Sequence, residues 1–370
     1  MSKMIDLHAL HNSFGQSPWL DNLSRHFIND GTIERFIKHG VRGVTSNPTI
    51  FEKALTDGDT YDEAIKASGL TKEHAETLYW ELAVEDIQHT ADLLKPVFDE
   101  SNHEDGYVSL EVSPELAQDA TSTVTQARYL WHIIDRPNLM IKVPATEACL
   151  PAITELIADG FNLNVTLIFS LERYQQVMDA YMAGLEQRKE DISSIHSVAS
   201  FFVSRVDTEI DSRLDSMGDS GTKLKGQAGL AQARLAYELF TQVFTPDNSR
   251  WSALAARGGN IQRPLWASTS VKNPDYDPLL YVKGLIARNT VNTLPNATLE
   301  AIESAPVNSL SNAGGVTPEH IQVAHELVSK LEAVGIHMSE VTALLEKEGV
   351  EKFHESFQTL LAAVAAKMPS

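Results

Sequence analysis

Cysteine is almost absent from this chain of 370 residues, which contains one, Cys149. A single cysteine excludes an internal disulfide and a CxxC metal or redox site, which fits a reducing compartment. The sequence also lacks a segment that resembles a signal peptide, and no apolar run approaches the roughly 18 residues of a membrane-spanning helix. We therefore expect a cytoplasmic protein that does not enter a membrane.

Positive charge is scarce as well, with 30 lysines and arginines against 50 aspartates and glutamates, a formal net charge of -20. Like charges repel at long range, so nucleic acid and anionic membrane surfaces are poor partners. A phosphate bound by this chain would need a local cationic pocket. The sequence gives no indication of an oligomeric state.

The common nucleotide, hydrolase and metal motifs are missing: no GxGxxG, Walker loop, GxSxG or HExxH occurs. His8 and His11 are spaced to share a helix face, but no carboxylate or cysteine with metal-ligand spacing joins them. We interpret them as surface histidines. We expect neither a metal nor a cofactor.

Short apolar runs instead alternate with helical segments, the pattern of parallel βα units. A chain of this length could form two domains or one large barrel with insertions. The strand candidates lie in SPWLD, GVTSN, YVSLE, LMIKVP, NVTLIF, SVASFF, Leu265–Ser268 and Thr290–Leu294. They predict a (β/α)₈ barrel, an α/β fold, as a single domain over 1–370 with extra helices near 72–98, 206–260 and 300–370.

The fourth strand candidate, LMIKVPAT, carries Lys142 within an apolar run that stops at Pro144. An ammonium group buried without a partner costs several kcal/mol, so it finds a carboxylate or loses its proton. A neutral lysine is a nucleophile. The alternative is a lysine whose stem lies on apolar surface while its head reaches water.

Polar residues also end the other strands, and in a (β/α)₈ barrel these ends converge on one mouth. Lysine catalysis through a Schiff base needs a neutral amine and acid–base groups, which Asp21 and Glu111 could supply. The alternative is that these carboxylates only form ion pairs with Lys142 or Arg25. An ion pair alone does not explain the further polar groups at neighbouring strand ends, which are Asn47, Asn164, Thr166 and Ser200. In FNLNVTLIFS, alternation places Leu167 beside Val165 on one face and Ile168 beside Thr166 on the other.

Taken together, the strand-end motifs resemble those of the transaldolase family, in its longer bacterial and plant-type branch. The resemblance runs from about residue 10 to residue 300 and rests on WLDN, TSNPTIF, SLEVSP, LMIKVPAT, NVTLIFS and SFFVSR. It implies a class I aldolase-type barrel that moves a dihydroxyacetone unit from a ketose phosphate to an aldose phosphate.

The resemblance also implies a role for each residue. Lys142 would form the Schiff base, and Asp21 would be the general base on the C4 hydroxyl during carbon–carbon cleavage. Glu111 would act through a water that Thr166 also holds. Asn47 and Asn164 would bind hydroxyls and steady the enamine.

The phosphate group would be held, by the same resemblance, by Ser200 and Arg205. Lys272 falls where other branches of the family have a second arginine, and a lysine binds phosphate as a point charge rather than as a fork. Surface cations in ordinary salt bridges are the alternative for Arg205 and Lys272.

These motifs predict a transaldolase of the non-oxidative pentose phosphate pathway that acts on small sugar phosphates. The expected donors are fructose 6-phosphate and sedoheptulose 7-phosphate, and the expected acceptors are glyceraldehyde 3-phosphate and erythrose 4-phosphate. Two alternatives remain: a Schiff-base aldolase that releases free dihydroxyacetone, and a non-catalytic barrel that binds sugar phosphates.

Overall fold

The fold is a closed barrel of eight parallel strands, seen in a computed structural model that describes residues 7–218, 222–304, 310 and 316–369. Each strand pairs with its neighbours in the sequence, and the last strand closes the barrel against the first. The strands are β1 Gln16–Leu20, β2 Gly43–Thr45, β3 Tyr107–Glu111, β4 Leu139–Pro144, β5 Leu163–Ile168, β6 Ser197–Phe202, β7 Gln262–Ala267 and β8 Thr290–Leu294. The predicted (β/α)₈ fold is confirmed.

Helices surround the barrel and follow its strands. In the described part of the chain they are α1 His8–Phe14, α2 Arg25–Asn29, α3 Thr32–Lys38, α4 Pro48–Thr56, α5 Asp62–Ser68, α6 Ala75–Glu100, α7 Ala120–Ile134, α8 Leu150–Asp159, α9 Leu171–Gln187, α10 Ser204–Asp215, α11 Ala228–Val243, α12 Ser249–Ala256, α13 Leu280–Gly284, α14 Asn296–Ser304, α15 Pro318–Ala333 and α16 Met338–Lys367. None of these helices is long and apolar enough to cross a bilayer.

The barrel is filled by alternate side chains of its strands. Trp19, Met140, Val198, Leu265 and Val291 are buried together in one apolar cluster. Their neighbours in the sequence, such as Leu20 and Ile141, belong to the second cluster, which includes the helices. A filled centre leaves the two ends of the barrel as the places where polar side chains can meet.

The expected alternation along β5 is wrong beyond Thr166. Leu167 has a backbone φ of 62°, and the register with β6 shifts between Val165 and Ile168. Such a bulge turns the following side chains to new directions. Leu167 therefore joins the cluster that fills the barrel, and Ile168 packs in the outer core.

Helix α16 lies along one side of the barrel mouth and packs against α4, α6 and α10. The Ser356 hydroxyl on α16 hydrogen-bonds the Thr49 hydroxyl on α4 at 2.8 Å. A Cβ on Gly349 would lie 3.1 Å from Leu167 Cδ2, so α16 approaches β5 closely. The C-terminal helix thus contributes to the wall around the strand ends.

Candidate active site

Lys142 lies at the mouth of the barrel with its amine enclosed by protein. The residue is only 5% exposed, so its head does not reach bulk water as in the surface alternative. Its Nζ lies 3.0 Å from Glu111 Oε2 and donates a hydrogen bond to the Ser46 carbonyl at 3.2 Å. Glu111 and Lys142 face each other because β3 and β4 pair at these two positions.

Glu111 is suited to accept a proton from this amine. Burial raises the pKa of its carboxyl, the charge of Lys142 opposes that shift, and Asp21 adds to it. The Lys142 ammonium group and the Glu111 carboxylate are in ion-pair contact. Glu111 Oε2 nevertheless has no well-aligned hydrogen bond among the described residues. A carboxyl with a raised pKa next to an ammonium group can take its proton and leave a neutral amine.

Asp21 follows β1 and borders the same cavity as Lys142. This cavity has a volume of about 330 Å³. The Thr45 hydroxyl donates to Asp21 Oδ1 at 2.8 Å. Burial raises the pKa of Asp21, while the charge of Lys142 and the Thr45 hydrogen bond lower it and limit the shift. The two carboxyl groups therefore flank one lysine and have different hydrogen-bond partners.

Asn164 on β5 is fixed by hydrogen bonds on both sides of its amide. Its Nδ2 donates to Ser109 Oγ at 3.1 Å, and Ser200 Oγ donates to its Oδ1 at 2.7 Å. Thr166, two residues further along, is fully buried on the cavity wall, and its hydroxyl has no hydrogen-bond partner among the described residues. That hydroxyl can hold a water molecule or a substrate hydroxyl near the lysine.

Asn47 stands where β2 ends and α4 begins. Its side-chain oxygen accepts a hydrogen bond from the Ile50 backbone N–H at 3.0 Å, as helix-capping residues do. The cap fixes the side chain on the cavity wall and leaves the amide nitrogen as the group that can face a substrate.

Part of the cavity wall is cationic. Arg205 and Lys272, both predicted from the sequence, line it together with Lys53 and Lys352. Lys272 stands at the exposed rim, yet its pKa is lowered, first by the partial burial of its ammonium group and then by these three cations. Its Nζ donates to Ser270 Oγ at 2.6 Å. Converging cations make a local positive site in an acidic protein, as a phosphate group requires.

The structure brings the nine predicted residues together. Two of them stand behind the cavity wall: Glu111 contacts Lys142, and Asn164 accepts a hydrogen bond from Ser200. The cavity itself is lined by the other seven, which are Asp21, Asn47, Lys142, Thr166, Ser200, Arg205 and Lys272. In the described part of the chain, no group of three or more His, Cys, Asp or Glu side chains is arranged to hold a metal ion.

Comparison with known proteins agrees with this geometry. A family model described as transaldolase/fructose-6-phosphate aldolase matches residues 18–364. The chain belongs to this family. It is 48% identical to the protein named transaldolase from Thermobifida fusca over 96% of both chains. It is 49% identical to that from Saccharopolyspora erythraea and 47% identical to that from Mycolicibacterium smegmatis, each over 100% of this chain and 99% of the relative.

This membership makes the chain an enzyme, a transferase of the transaldolase type. The predicted class of reaction is therefore confirmed, and the predicted barrel agrees with the family as well as with the closed sheet. The roles of the individual residues stay predictions.

Sequence reasoning missed several residues that line the cavity. Lys53 lies on α4, close behind the TSNPTIF motif, and Ser270 lies two residues before Lys272, so their place beside known motifs was a usable signal. Lys352 and Phe353 come from α16, far along the chain from every motif. The Lys142 Nζ lies 5.7 Å from the centre of the Phe353 ring.

Proposed function

We propose that the chain transfers a dihydroxyacetone unit from fructose 6-phosphate or sedoheptulose 7-phosphate to glyceraldehyde 3-phosphate or erythrose 4-phosphate. The reaction passes through a Schiff base on Lys142 and belongs to the non-oxidative pentose phosphate pathway. The observation that carries the proposal is the buried contact between Lys142 and Glu111, beside a cavity lined in part by cationic side chains.

The first step joins the donor sugar to the enzyme. Lys142 passes a proton to Glu111, and the neutral amine attacks the C2 carbonyl carbon of the ketose phosphate. The carbonyl oxygen is protonated to give a carbinolamine, which loses water to become an iminium ion. Glu111 and the Thr166 hydroxyl, both buried and without well-aligned hydrogen bonds, hold the water that carries these protons.

The second step breaks the bond between C3 and C4. Asp21 removes the proton of the C4 hydroxyl, whose oxygen becomes the carbonyl oxygen of the departing aldose phosphate. The electrons of the broken bond move to C3 and neutralise the iminium nitrogen, which leaves an enamine on Lys142. Asn47 binds a hydroxyl group of this retained unit with the amide nitrogen that its capping bond leaves free. Asn164 offers the unit the second proton of its Nδ2, because Ser109 accepts the first.

The third step reverses the second with a new aldehyde. C3 of the enamine attacks the carbonyl carbon of the acceptor, and Asp21 returns its proton to the new hydroxyl group. Water then adds at C2, the bond to nitrogen breaks, and Lys142 is regenerated as the longer ketose phosphate leaves.

The phosphate of each sugar is held at the cationic wall. Arg205 and Lys272 supply charge, and the Ser270 hydroxyl, which accepts from Lys272, keeps its proton to donate to phosphate. Ser200 was expected in this role from the resemblance. Its hydroxyl proton is engaged by Asn164, so we propose that Ser200 positions Asn164 and offers its oxygen as an acceptor.

We further propose that the chain folds as one domain over 1–370 and acts in the cytoplasm. A Schiff-base aldolase that releases dihydroxyacetone would use the same residues, but the relatives named above are transaldolases. The non-catalytic alternative predicts that the protein has no turnover, so that replacing Lys142 would not change its activity.

Borohydride trapping tests the proposal. The protein is incubated with fructose 6-phosphate and borohydride, digested, and its peptides are analysed by mass spectrometry. We expect a reduced dihydroxyacetone adduct on Lys142, because borohydride converts the iminium into a stable secondary amine.

Two variants control this experiment. Lys142→Ala should give no adduct and no transfer, with an unchanged far-UV circular dichroism spectrum. Lys53→Ala, which removes another cavity lysine, should still form the adduct on Lys142. An adduct on a different lysine, or none on folded wild-type protein, would remove the mechanism.

A further inference from the structure

We propose that Phe353 on α16 shields the enamine on Lys142 from water and so favours transfer over release of free dihydroxyacetone. The inference rests on the Schiff-base function proposed above and adds a specificity-determining residue outside the strand ends. Its side chain enters the site from the C-terminal helix.

The ring of Phe353 occupies the space next to the reactive nitrogen. Its centre is 5.7 Å from Lys142 Nζ, the residue is 5% exposed, and it lines the same cavity. Phe353 belongs to the apolar cluster that includes Leu167 and Phe202, so the ring continues the wall of the barrel interior up to the lysine. Apolar surface at this position replaces water on that side of the nitrogen.

Helix α16 is attached on both sides of this ring, which fixes the position of Phe353. On the N-terminal side Glu346 contacts Arg173 at 3.4 Å, and Gly349 permits close approach to β5. On the C-terminal side, Ser356 hydrogen-bonds α4 and Lys367 pairs with Asp62 at 2.7 Å. Because α16 is held on both sides of Phe353, the ring stays next to Lys142 and keeps water out of that position.

The two fates of the enamine differ in their need for water. In transfer, C3 attacks an aldehyde, and the new carbon–carbon bond forms before water is required. In release, C3 takes a proton from solvent and the iminium ion returns. Water then adds at C2, and the carbon–nitrogen bond breaks to give dihydroxyacetone and the Lys142 amine. Both fates end with water addition at C2, so they differ at C3, which takes either a proton from water or the aldehyde carbon. A residue that keeps water from C3 slows release and leaves attack on the aldehyde possible.

The test measures both products of one enzyme. Formation of free dihydroxyacetone from fructose 6-phosphate alone is compared with formation of sedoheptulose 7-phosphate when erythrose 4-phosphate is present. We expect Phe353→Ala to raise the ratio of release to transfer on the order of tenfold, the effect of about 1.4 kcal/mol on the relative barriers. Phe353→Leu, which keeps most of the apolar bulk, should stay closer to wild type than to Phe353→Ala.

Phe357→Ala is the matched control. Phe357 is another buried phenylalanine of α16, but it packs on Tyr79 at a ring distance of 5.6 Å and is not part of the cavity wall. Its loss removes a contact with Tyr79 but keeps the contacts of Glu346, Ser356 and Lys367 that hold α16, so the ratio should stay close to wild type. Phe357→Leu serves the same purpose if the alanine variant does not fold.

Several outcomes would overturn the inference. They are an unchanged ratio in Phe353→Ala, an equal rise in the Phe357 control, or a leucine variant that behaves like the alanine variant. Borohydride trapping on each protein separates these failures from failure of the proposed function. If wild type forms the Lys142 adduct and the ratio does not move, only the shielding role falls. If no adduct forms, the Schiff base falls and the shielding role with it.

Discussion

At the scale of single residues, the site depends on two carboxyl groups that flank one lysine, Glu111 buried and Asp21 half-buried. Burial raises the pKa of both Asp21 and Glu111. They differ in their partners: Thr45 donates a hydrogen bond to Asp21, whereas Glu111 contacts the amine of Lys142. A hydrogen bond from a neutral donor favours the ionised form, so Asp21 is the better general base, and Glu111 is placed to exchange a proton with the amine.

This difference predicts the effect of Thr45→Val on the pH dependence of catalysis. The Thr45 hydrogen bond lowers the pKa of Asp21 against the larger effect of burial, so its loss should raise that pKa further. General-base action needs the ionised form. The acidic limb of the kcat/KM profile should therefore move to higher pH in the variant, measured with fructose 6-phosphate and erythrose 4-phosphate.

Two further variants test the cause of that shift. Thr45→Ser keeps the hydroxyl and should keep the wild-type profile. Thr293→Val removes the 2.6 Å contact between Thr45 and Thr293 but leaves the one to Asp21, so it should not move the limb. A Thr45→Val profile that coincides with wild type would show that Asp21 is not the group that titrates in the acidic limb.

At the scale of helices and strands, one rule was enough to predict from the sequence which strand-end residues meet at the site. Parallel strands of a barrel end on the same side, so residues at the ends of separate strands meet without any knowledge of side-chain packing. That rule places Asp21, Asn47, Lys142 and Thr166 around one cavity, as observed. The roles assigned to them came from the resemblance between their motifs and a known family.

The features that escaped prediction depend on contacts distant in the sequence. The bulge at Leu167 requires a positive φ at a residue with no local signal for it, so alternation failed there. Phe353 lies on a helix whose apolar face could cover many surfaces. Only the docking of α16 on α4 and β5 brings its ring to Lys142.

The contact between β1 and β2 predicts a large effect for a small substitution. A Cβ added to Gly43 would lie 2.5 Å from Cδ2 and Cε2 of Trp19. The Trp19 ring is fully buried, and its Nε1 donates to Asp105 at 3.2 Å, so it has little room to move. We expect Gly43→Ala to lower the free energy of unfolding by about 1–3 kcal/mol, the cost of overpacking a core. Urea denaturation measures it.

A double-mutant cycle checks that the clash is the cause. In a Trp19→Leu background the added methyl group meets a smaller side chain, so Gly43→Ala should cost less there than in wild type. An equal cost in both backgrounds would mean that the glycine is needed for the backbone of β2 rather than for the space beside Trp19.

At the scale of the whole molecule, the two ends of the barrel bury charge in opposite ways. At the mouth, burial raises the pKa of Asp21 and Glu111, so their ionised forms are costly, as acid–base chemistry requires. At the other end Asp105 is fully buried, but Arg42 and Arg263 contact it at 2.6 Å and 3.0 Å. The charged groups at the mouth are therefore suited to catalysis. Asp105, Arg42 and Arg263 at the other end, which we call the floor of the barrel, stabilise the fold.

The floor makes the stability of the whole barrel depend on Asp105. Burial alone would raise its pKa, but Arg263, Arg42 and the Ser17 hydroxyl outweigh burial and lower the pKa from 3.8 to about 2. A depressed pKa means that the ionised group stabilises the fold above its ordinary pKa and that this contribution is lost as the pH falls from 3.8 towards 2.

Asp105→Asn should therefore destabilise the protein at neutral pH by about 3–5 kcal/mol, because it leaves two arginines without their buried counter-charge. Urea unfolding at pH 7 measures the loss. Between pH 4 and pH 2 the wild type should lose stability more steeply than the variant, since only the wild type has this carboxyl to protonate, with a pKa of about 2 in the folded state. Parallel stability curves for the two proteins over that range would contradict the assignment, and the ion pairs of the floor would then contribute little to holding the barrel together.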